Sequence, residues 1–296
     1  MVIIVSKEGQ LANRILHASS FMVNAHAHGY RVVHLFFDDY YTFFSESLSG
    51  NKTPIKFFGK RKSGVVSLFR KIVIIGVKVF LKIGITKLPL FEIVKYEGYH
   101  QGLEPFDLND EQFVKKAKSK LILAHGWAFR DPENFKKHRP LLLDAWKPNK
   151  YYRGNVEKYF KKYKNGNDLL IGVHLRGGDY KNFEGGKWFY TPGQYYEKMK
   201  EVATLEIFRN KKIAFIICTN EKEVSLPATA NFSVFNEERH FIEDLYLLAK
   251  CNYIIGPPST FSAWASFYGD VPLLMLKDIS VNISSEYFYK NAVAYR

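Results

Sequence analysis

The chain has 296 residues, enough for two domains of ordinary size, and its 47% hydrophobic and 24% charged content excludes a disordered protein. A net charge of +14 indicates an anionic partner: nucleic acid, a membrane surface or a phosphorylated substrate. Nucleic acid is disfavoured because the basic residues are spread along the chain and form no recognition module.

The two cysteines, Cys218 and Cys251, are too few for a disulfide scaffold. Both lie in apolar, strand-like sequence, so we expect buried free thiols and a reducing compartment. The Cys and His residues show no metal-ligand spacing, and the N-terminal stretch is too short and wrongly flanked for a signal peptide. These features favour a cytoplasmic protein of bacterial type without a metal.

The first half of the chain begins as a βαβ unit. We predict a strand over 2–5, a helix over 11–28 with apolar residues at helical spacing, and a strand over 31–36. Asn13, in the first turn of that helix, is either an ordinary capping residue or a ligand contact at a helix N-terminus. Residues 38–62 are aromatic and then basic, and we interpret them as loop-rich.

A strongly apolar segment begins at Val65 and ends at Leu88, and with the basic residues before it forms a predicted insertion over about 50–90. Its longest uncharged run, 72–77, is too short to span a bilayer. As a helix it would align Lys71, Lys78 and Lys82 in one narrow row. That pattern is typical of a helix on an anionic membrane surface, and equally of a core helix whose lysines reach water.

Further along, we predict a strand over 121–124, a helix around 132–138 and a lysine-rich helix over 151–164. The domain boundary is expected near 150–166. Strands and helices then alternate. We predict strands over 169–173, 213–218, 233–235, 253–255 and 271–276, and helices over 191–202, 220–224, 241–250 and 261–268. This pattern is Rossmann-like. The sequence therefore predicts an α/β protein with domains 1–160 and 161–296.

Charged side chains follow the strand over 169–173. His174, Arg176 and Asp179 come at its carboxyl end, where open α/β sheets bind ligands. Gly177 and Gly178 let the backbone approach a ligand closely, and an arginine fork can grip two phosphate oxygens. The alternative is a surface Arg–Asp pair at a strand end.

The stretch from His174 to Tyr180 resembles the donor-site motif His-x-Arg-x-Gly-Asp-Tyr of the α-1,2-fucosyltransferases and their α-1,6- and protein O-fucosyltransferase relatives. Three other segments agree in the same order. Residues 9–14 resemble the glycine-rich N-terminal turn, 125–130 the mid-chain Gly-Tyr/Trp segment, and 244–264 the C-terminal Ser-Thr-Phe-Ser-x-Trp block. The resemblance spans about residues 1–270 and implies a GT-B-like fold of two Rossmann-like domains facing a cleft.

The resemblance implies an inverting glycosyltransferase that moves L-fucose from GDP-fucose to a glycan hydroxyl and needs no metal or other cofactor. Arg176 would bind the β-phosphate, His174 the ribose or phosphate side, and Asp244 the guanine. The remaining implied donor contacts are Ser259, Thr260, Phe261 and Asn13. The simpler alternatives are a strand-end histidine, an exposed helical acid and a Ser/Thr helix cap.

The resemblance leaves the general base open. Glu184 lies where the α-1,6 relatives carry a candidate base, and Asp179 is the other candidate, which could equally orient Arg176. Many members carry a second arginine directly after the first, where this chain has Gly177. The diphosphate is then short of one cation, for which Lys181 or Arg14 could compensate.

The predicted partners are GDP-fucose and an oligosaccharide acceptor, with a lipid-linked acceptor and α-1,2 linkage favoured. The N-terminal half would shape the acceptor side and the C-terminal half would bind the donor. The basic surface and the segment from Val65 to Leu88 favour a peripheral position on the inner face of the plasma membrane. The alternatives are a transferase that uses another GDP-sugar and a non-catalytic nucleotide- or glycan-binding relative.

Overall fold

The computed structural model describes residues 1–49, 53–58, 64–97, 104–222, 224–227 and 231–290, with side chains throughout except at 64–67. Two largely parallel sheets organise the chain. The chain divides into two units, Met1–Asn149 and Lys150–Arg296. Each unit contains one of the sheets. The predicted α/β class is confirmed.

The first unit is built on a five-stranded parallel sheet in the order β3-β2-β1-β6-β4, with a separate parallel pair, β5 and β7. Its strands are β1 (Val2–Ile4), β2 (Val32–His34), β3 (Ile55–Phe57), β4 (Phe91–Lys95), β5 (Phe106–Asp107), β6 (Leu121–His125) and β7 (Phe129–Arg130). Its helices are α1 (Leu11–His28), α2 (Asp38–Tyr41), α3 (Ser45–Leu48), α4 (Gly64–Lys82), α5 (Glu111–Ser119), α6 (Pro132–Lys137) and α7 (Arg139–Ala145).

The predicted βαβ start of this unit is confirmed. Helix α1 has the bounds that the apolar spacing predicted. It ends at His28 because Gly29 adopts a left-handed φ of 74° and its N–H donates to Ala25 O. β3 lies within the stretch expected to be loop-rich and pairs with β2; three residues are too few to show a strand period. The basic residues at 50–52 and 59–63 lie outside the described part of the chain.

The second unit is built on a six-stranded sheet in the order β10-β9-β8-β11-β12-β13. Its strands are β8 (Leu169–Leu175), β9 (Ile213–Thr219), β10 (Ser233–Phe235), β11 (Tyr253–Gly256), β12 (Leu273–Met275) and β13 (Phe288–Tyr289). Its helices are α8 (Lys150–Lys164), α9 (Pro192–Ala203), α10 (Phe241–Leu248) and α11 (Thr260–Gly269). All neighbouring strands are parallel except β12 and β13.

Three details differ from the sequence expectation. The strand expected over 271–276 is present as β12, but the last strand of the chain is β13, which pairs antiparallel with β12 at the edge of the sheet. The helix expected over 220–224 is absent from the described residues of that stretch. The boundary expected after residue 160 falls inside α8, and the whole of α8 belongs to the second unit because it packs on α10, where Asn155 Nδ2 donates to Glu243 Oε1 at 2.6 Å.

Within the described residues, no helix combines the length and the apolar character that crossing a bilayer requires.

Candidate functional site

The candidate site lies where the strand order of the second sheet reverses. β8 runs between β9 and β11, and the chain leaves β8 towards β9 and later returns on its other side to form β11. Ligands of open α/β sheets bind beyond the carboxyl ends of the strands at such a switch point. The predicted residues at the end of β8 and after β8 and β11 therefore meet at one edge of the sheet: His174, Arg176, Asp179, Ser259, Thr260 and Phe261.

Arg176 lies between a carboxylate and a tyrosine ring. Its Nη2 donates to Asp179 Oδ2 at 2.9 Å, and its guanidinium carbon is 5.2 Å from the centroid of the Tyr180 ring. The Tyr180 hydroxyl donates to Pro258 O at 2.8 Å, which ties the loop to the turn before α11. The Arg176 side chain is 13% exposed and that of Asp179 is 52% exposed. An ion pair with so exposed a partner is weak, so an anionic ligand can compete for the guanidinium.

His174 is buried, with its ring centroid 5.0 Å from that of Phe261. Its Nδ1 is buried and has no hydrogen-bond partner among the described residues. Burial, with a smaller contribution from the Arg176 charge, lowers the pKa of His174 to about 3. The ring is therefore neutral at pH 7, so it can form hydrogen bonds with a donor substrate but cannot neutralise a phosphate.

The glycine pair after Arg176 is fixed by two side chains that follow β9. Gly177 N donates to Asn220 Oδ1 at 3.0 Å, and Gly178 N donates to Glu221 Oε1 at 2.8 Å. A Cβ on Gly177 would lie 1.7 Å from Glu221 Oε1. A side chain at 177 would therefore displace Glu221 from its hydrogen bond to Gly178 N.

Asn220 and Glu221 were missed as site residues. The sequence placed them in a helix, whereas their side chains reach across to the loop that follows the neighbouring strand. The signal available in the sequence was their place after the strand predicted over 213–218, because residues that follow the parallel strands of one sheet lie at the same edge. Of the two candidate compensating cations, Lys181 lies 3.9 Å from Glu221, and Arg14 lies in the first unit, paired with Asp39 at 2.8 Å.

The turn after β11 begins α11. Ser259 Oγ accepts a hydrogen bond from Phe261 N at 3.2 Å, so Ser259 is the helix cap that the simpler alternative described. Capping does not remove the other N-terminal N–H groups of this ten-residue helix, whose dipole favours an anion. The first turn of α11 can therefore hold a phosphate in addition to its cap.

Asp244 is buried in α10, so the alternative of an exposed helical acid is wrong. Its Oδ1 accepts from Arg239 Nε at 2.8 Å, and Arg239 also donates to the Tyr163 hydroxyl at 3.1 Å. Burial raises the pKa of Asp244 to about 6 against the opposing effect of the Arg239 charge. The carboxylate is ionised at pH 7 and belongs to a buried ion pair. Its contact with guanine stays a prediction.

We expect Arg239→Ala to lower the free energy of unfolding of the full chain by about 3–5 kcal/mol, because it leaves Asp244 buried without its cation. Urea denaturation of wild type and variant measures this. Lys250→Ala is the matched control: Lys250 lies 2.7 Å from Glu157 in an exposed pair, and its loss should cost less than about 1 kcal/mol. Equal losses in both variants would contradict the structural role of Arg239.

The burial of Asp244 beside Arg239 also makes the free energy of unfolding depend on pH. The pKa of Asp244 in the folded chain is about 6, above the value of about 4 for an unfolded chain. The folded chain binds this proton more tightly, so the contribution of Asp244 to stability is complete below about pH 4 and is lost as the pH rises through 6. Asp244→Asn should remove this part of the pH dependence of the unfolding free energy.

Glu184 lies in a short 3-10 segment, Phe183–Gly186, and is exposed. Its φ is 49°, followed by 67° at Gly185 and 78° at Gly186, so three successive residues are left-handed. Two are glycines, which tolerate this conformation, but a glutamate adopts it only at a cost. Such strain in a loop beside a candidate site is a reason to look for a function.

Asn13 lies in the first unit, as the third residue of α1, whose N-cap is Gln10. The interpretation of Asn13 as the cap is therefore wrong. A Cβ on Gly9, where φ is 54°, would lie 2.0 Å from Asn13 Nδ2. The glycine turn thus packs directly on the Asn13 amide, and a donor contact by Asn13 stays a prediction.

Cys218 and Cys251 are buried free cysteines, as expected. The described residues contain no group of three or more His, Cys, Asp or Glu side chains placed to hold a metal ion.

Residues 134–291 match the model of a protein family described as Glycosyl transferase family 11. No curated protein matches the chain in sequence. The structure is similar to that of a mutant of Arabidopsis thaliana FUT1 in complex with GDP, at 15% identity and a TM-score of 0.59, over 93% of this chain and 69% of that one.

The structure is also similar to that of the fucosyltransferase NodZ from Bradyrhizobium, at 15% identity and a TM-score of 0.53, over 93% of this chain and 94% of that one. POFUT1 in complex with GDP-fucose is 10% identical, with a TM-score of 0.53, over 91% and 94% of the two chains. At these identities the likeness shows the fold, and the predicted GT-B-like class is confirmed.

Proposed function

The chain belongs to glycosyl transferase family 11, and from that premise we propose that it transfers L-fucose from GDP-fucose to a hydroxyl of a glycan acceptor. Membership confirms the resemblance predicted from the motifs and makes the protein a glycosyltransferase. The GDP and GDP-fucose in the structures of similar fold support the choice of donor. The observation that carries the proposal is Arg176, a largely buried guanidinium at the switch point of the second sheet.

In the proposed donor complex the diphosphate lies between Arg176 and the first turn of α11. Arg176 binds the β-phosphate in place of Asp179, and Ser259 and Thr260 lie beside the phosphates at the helix N-terminus. His174, neutral and packed on Phe261, contacts the ribose side. Asp244 accepts from guanine.

The proposed reaction is a single inverting displacement without a metal. The acceptor hydroxyl attacks the anomeric carbon of fucose, the bond from that carbon to the β-phosphate oxygen breaks, GDP leaves, and the hydroxyl proton passes to a carboxylate. Arg176 stabilises the negative charge that develops on the leaving diphosphate. We assign the base to Glu184, because it lies where the α-1,6 relatives carry a candidate base and its exposed carboxylate is held by a strained, left-handed backbone.

The proposal extends to the acceptor. We propose an α-1,2 linkage to galactose or a similar sugar of a surface oligosaccharide carried on a lipid, with the first unit on the acceptor side. The enzyme would then work as a peripheral protein at the inner face of the plasma membrane.

The test is release of GDP from a panel of GDP-sugars in EDTA. We expect GDP-fucose to be turned over at the highest rate and EDTA to have no effect on that rate. Preference for another GDP-sugar would contradict the fucose assignment and favour the alternative transferase, in which Gly177 and Glu221 have reshaped the phosphate pocket. Tight GDP binding with no turnover of any donor, with acceptor glycans present, would identify a non-catalytic relative.

A further inference from the structure

Helix α4 presents an exposed row of aliphatic side chains. Leu68, Ile72, Ile75 and Val79 recur at the spacing of one helix face, and each is at least 50% exposed. Eight of the fifteen exposed large hydrophobic side chains among the described residues lie between 68 and 90. The exposed residues that extend the row beyond the helix are Ile83, Ile85 and Leu90. Scattered surface apolar residues are ordinary, but a contiguous row marks an interaction site.

The opposite face of α4 is packed on the first unit. Val77 is buried in a cluster with Val5, Leu35 and Ile93, and Val73, Phe80 and Leu81 pack against that cluster. Arg70 Nη1 donates to Asp38 Oδ2 at 2.8 Å, which adds a polar anchor. The helix is therefore fixed by its inner face, and the aliphatic row is not needed to hold it there.

A row of cations flanks the aliphatic row. Lys71, Lys78 and Lys82 are all exposed and lie on one side of it. From Glu46 to Glu92 the intervening sequence contains ten Lys or Arg residues and no Asp or Glu. A surface that combines apolar side chains with a row of lysines complements the anionic headgroups and acyl chains of a lipid leaflet.

We propose that α4 and the turn after it dock the enzyme on an anionic membrane surface. Leu68, Ile72, Ile75 and Val79 enter the boundary between headgroups and acyl chains, and the lysine row binds anionic headgroups. The interpretation as a core helix is confirmed for the inner face of α4, and the membrane interpretation is the one that we propose for its outer face. The docking rests on the peripheral membrane position proposed above and supplies the surface for it, but it does not depend on which sugar is transferred.

Co-sedimentation of the full chain with phosphatidylcholine vesicles, with and without phosphatidylglycerol, tests the docking. We expect binding only to the anionic vesicles. The double variant Ile72→Ser/Ile75→Ser should weaken this binding about tenfold or more, because two inserted side chains are lost. Lys78→Gln/Lys82→Gln should weaken it by at least about tenfold and reduce its salt dependence.

Matched controls lie on the second unit. Ile207, 48% exposed, and Lys161, with a 76% exposed side chain, lie outside this surface, so Ile207→Ser and Lys161→Gln should bind vesicles as wild type does. Thermal unfolding establishes that each variant is folded, independently of any turnover.

Two results would overturn the proposal. One is the absence of wild-type binding to anionic vesicles, including the case in which the chain instead self-associates through this face. The other is binding that high salt removes but that the α4 variants leave unchanged, which would trace the association to the net charge of the whole protein.

Discussion

Arg176→Ala should lower the rate of GDP release from GDP-fucose about 10³-fold, the usual loss when a group that stabilises leaving-group charge is removed. The expectation follows from the place of Arg176 in the sheet. It follows β8 at the switch point, its guanidinium is largely buried, and its carboxylate partner Asp179 is largely exposed. Because the charge on the diphosphate grows as the glycosidic bond breaks, the loss should fall mainly on kcat and less on GDP affinity. Single-turnover measurements, with GDP titration alongside, separate the two.

Arg176→Lys separates the effect of the positive charge from that of the planar guanidinium. Lysine keeps the charge but lacks the planar fork, so it should recover GDP affinity better than it recovers turnover. A variant with unchanged turnover would mean that the diphosphate lies elsewhere and would remove the main support for the donor site.

Gly177→Arg tests whether the second arginine that many family members carry can be accommodated in this chain. A side chain at 177 would displace Glu221 and break its hydrogen bond to the loop, because the new Cβ would lie 1.7 Å from Glu221 Oε1, the atom that accepts from Gly178 N. We therefore expect this variant to lose activity, even though it restores the arginine that many family members carry. Higher turnover in Gly177→Arg would show that the loop adapts and that Glu221 does not determine residue 177.

Local sequence signals predicted the elements that such signals control. Helix α1 was placed correctly because its apolar spacing stops at Gly29, which ends the helix in the left-handed conformation. The second sheet was predicted because its strands are apolar runs separated by helices, and its order places Arg176 at the switch point. Strand β3 was missed because its place beside β2 depends on neighbours distant in sequence.

The residues of the candidate site were likewise predicted where a local signal exists and missed where the contact is long-range. His174, Arg176 and Ser259 were identified because each directly follows or ends a strand. Arg239 was not, because no local pattern shows that it pairs with Asp244 in the interior. Asn220 and Glu221 act on glycines 43 residues earlier in the chain, a contact that exists only once β8 and β9 have paired. Long-range pairing of this kind has no periodic signature.

Glu184→Gln should lower kcat by a factor of about 10²–10⁴, the contribution typical of a general base, and should leave GDP affinity unchanged. Asp179→Asn should instead change GDP affinity, because Asp179 competes with the diphosphate for Arg176. If Asp179→Asn lowers kcat by that factor and Glu184→Gln does not, the two roles are reversed.

The left-handed backbone at Glu184 allows a sharper version of this test. A residue with φ of 49° that lacks a function should be replaceable by glycine with a gain or no loss in stability, since glycine removes the strain. Glu184→Gly should therefore unfold at the same temperature as wild type or higher, and still be as inactive as Glu184→Gln. Stability that is kept while turnover is lost would mean that the strain places a carboxylate for chemistry. Stability and activity that are both kept would leave Glu184 as a loop residue and return the role of base to Asp179.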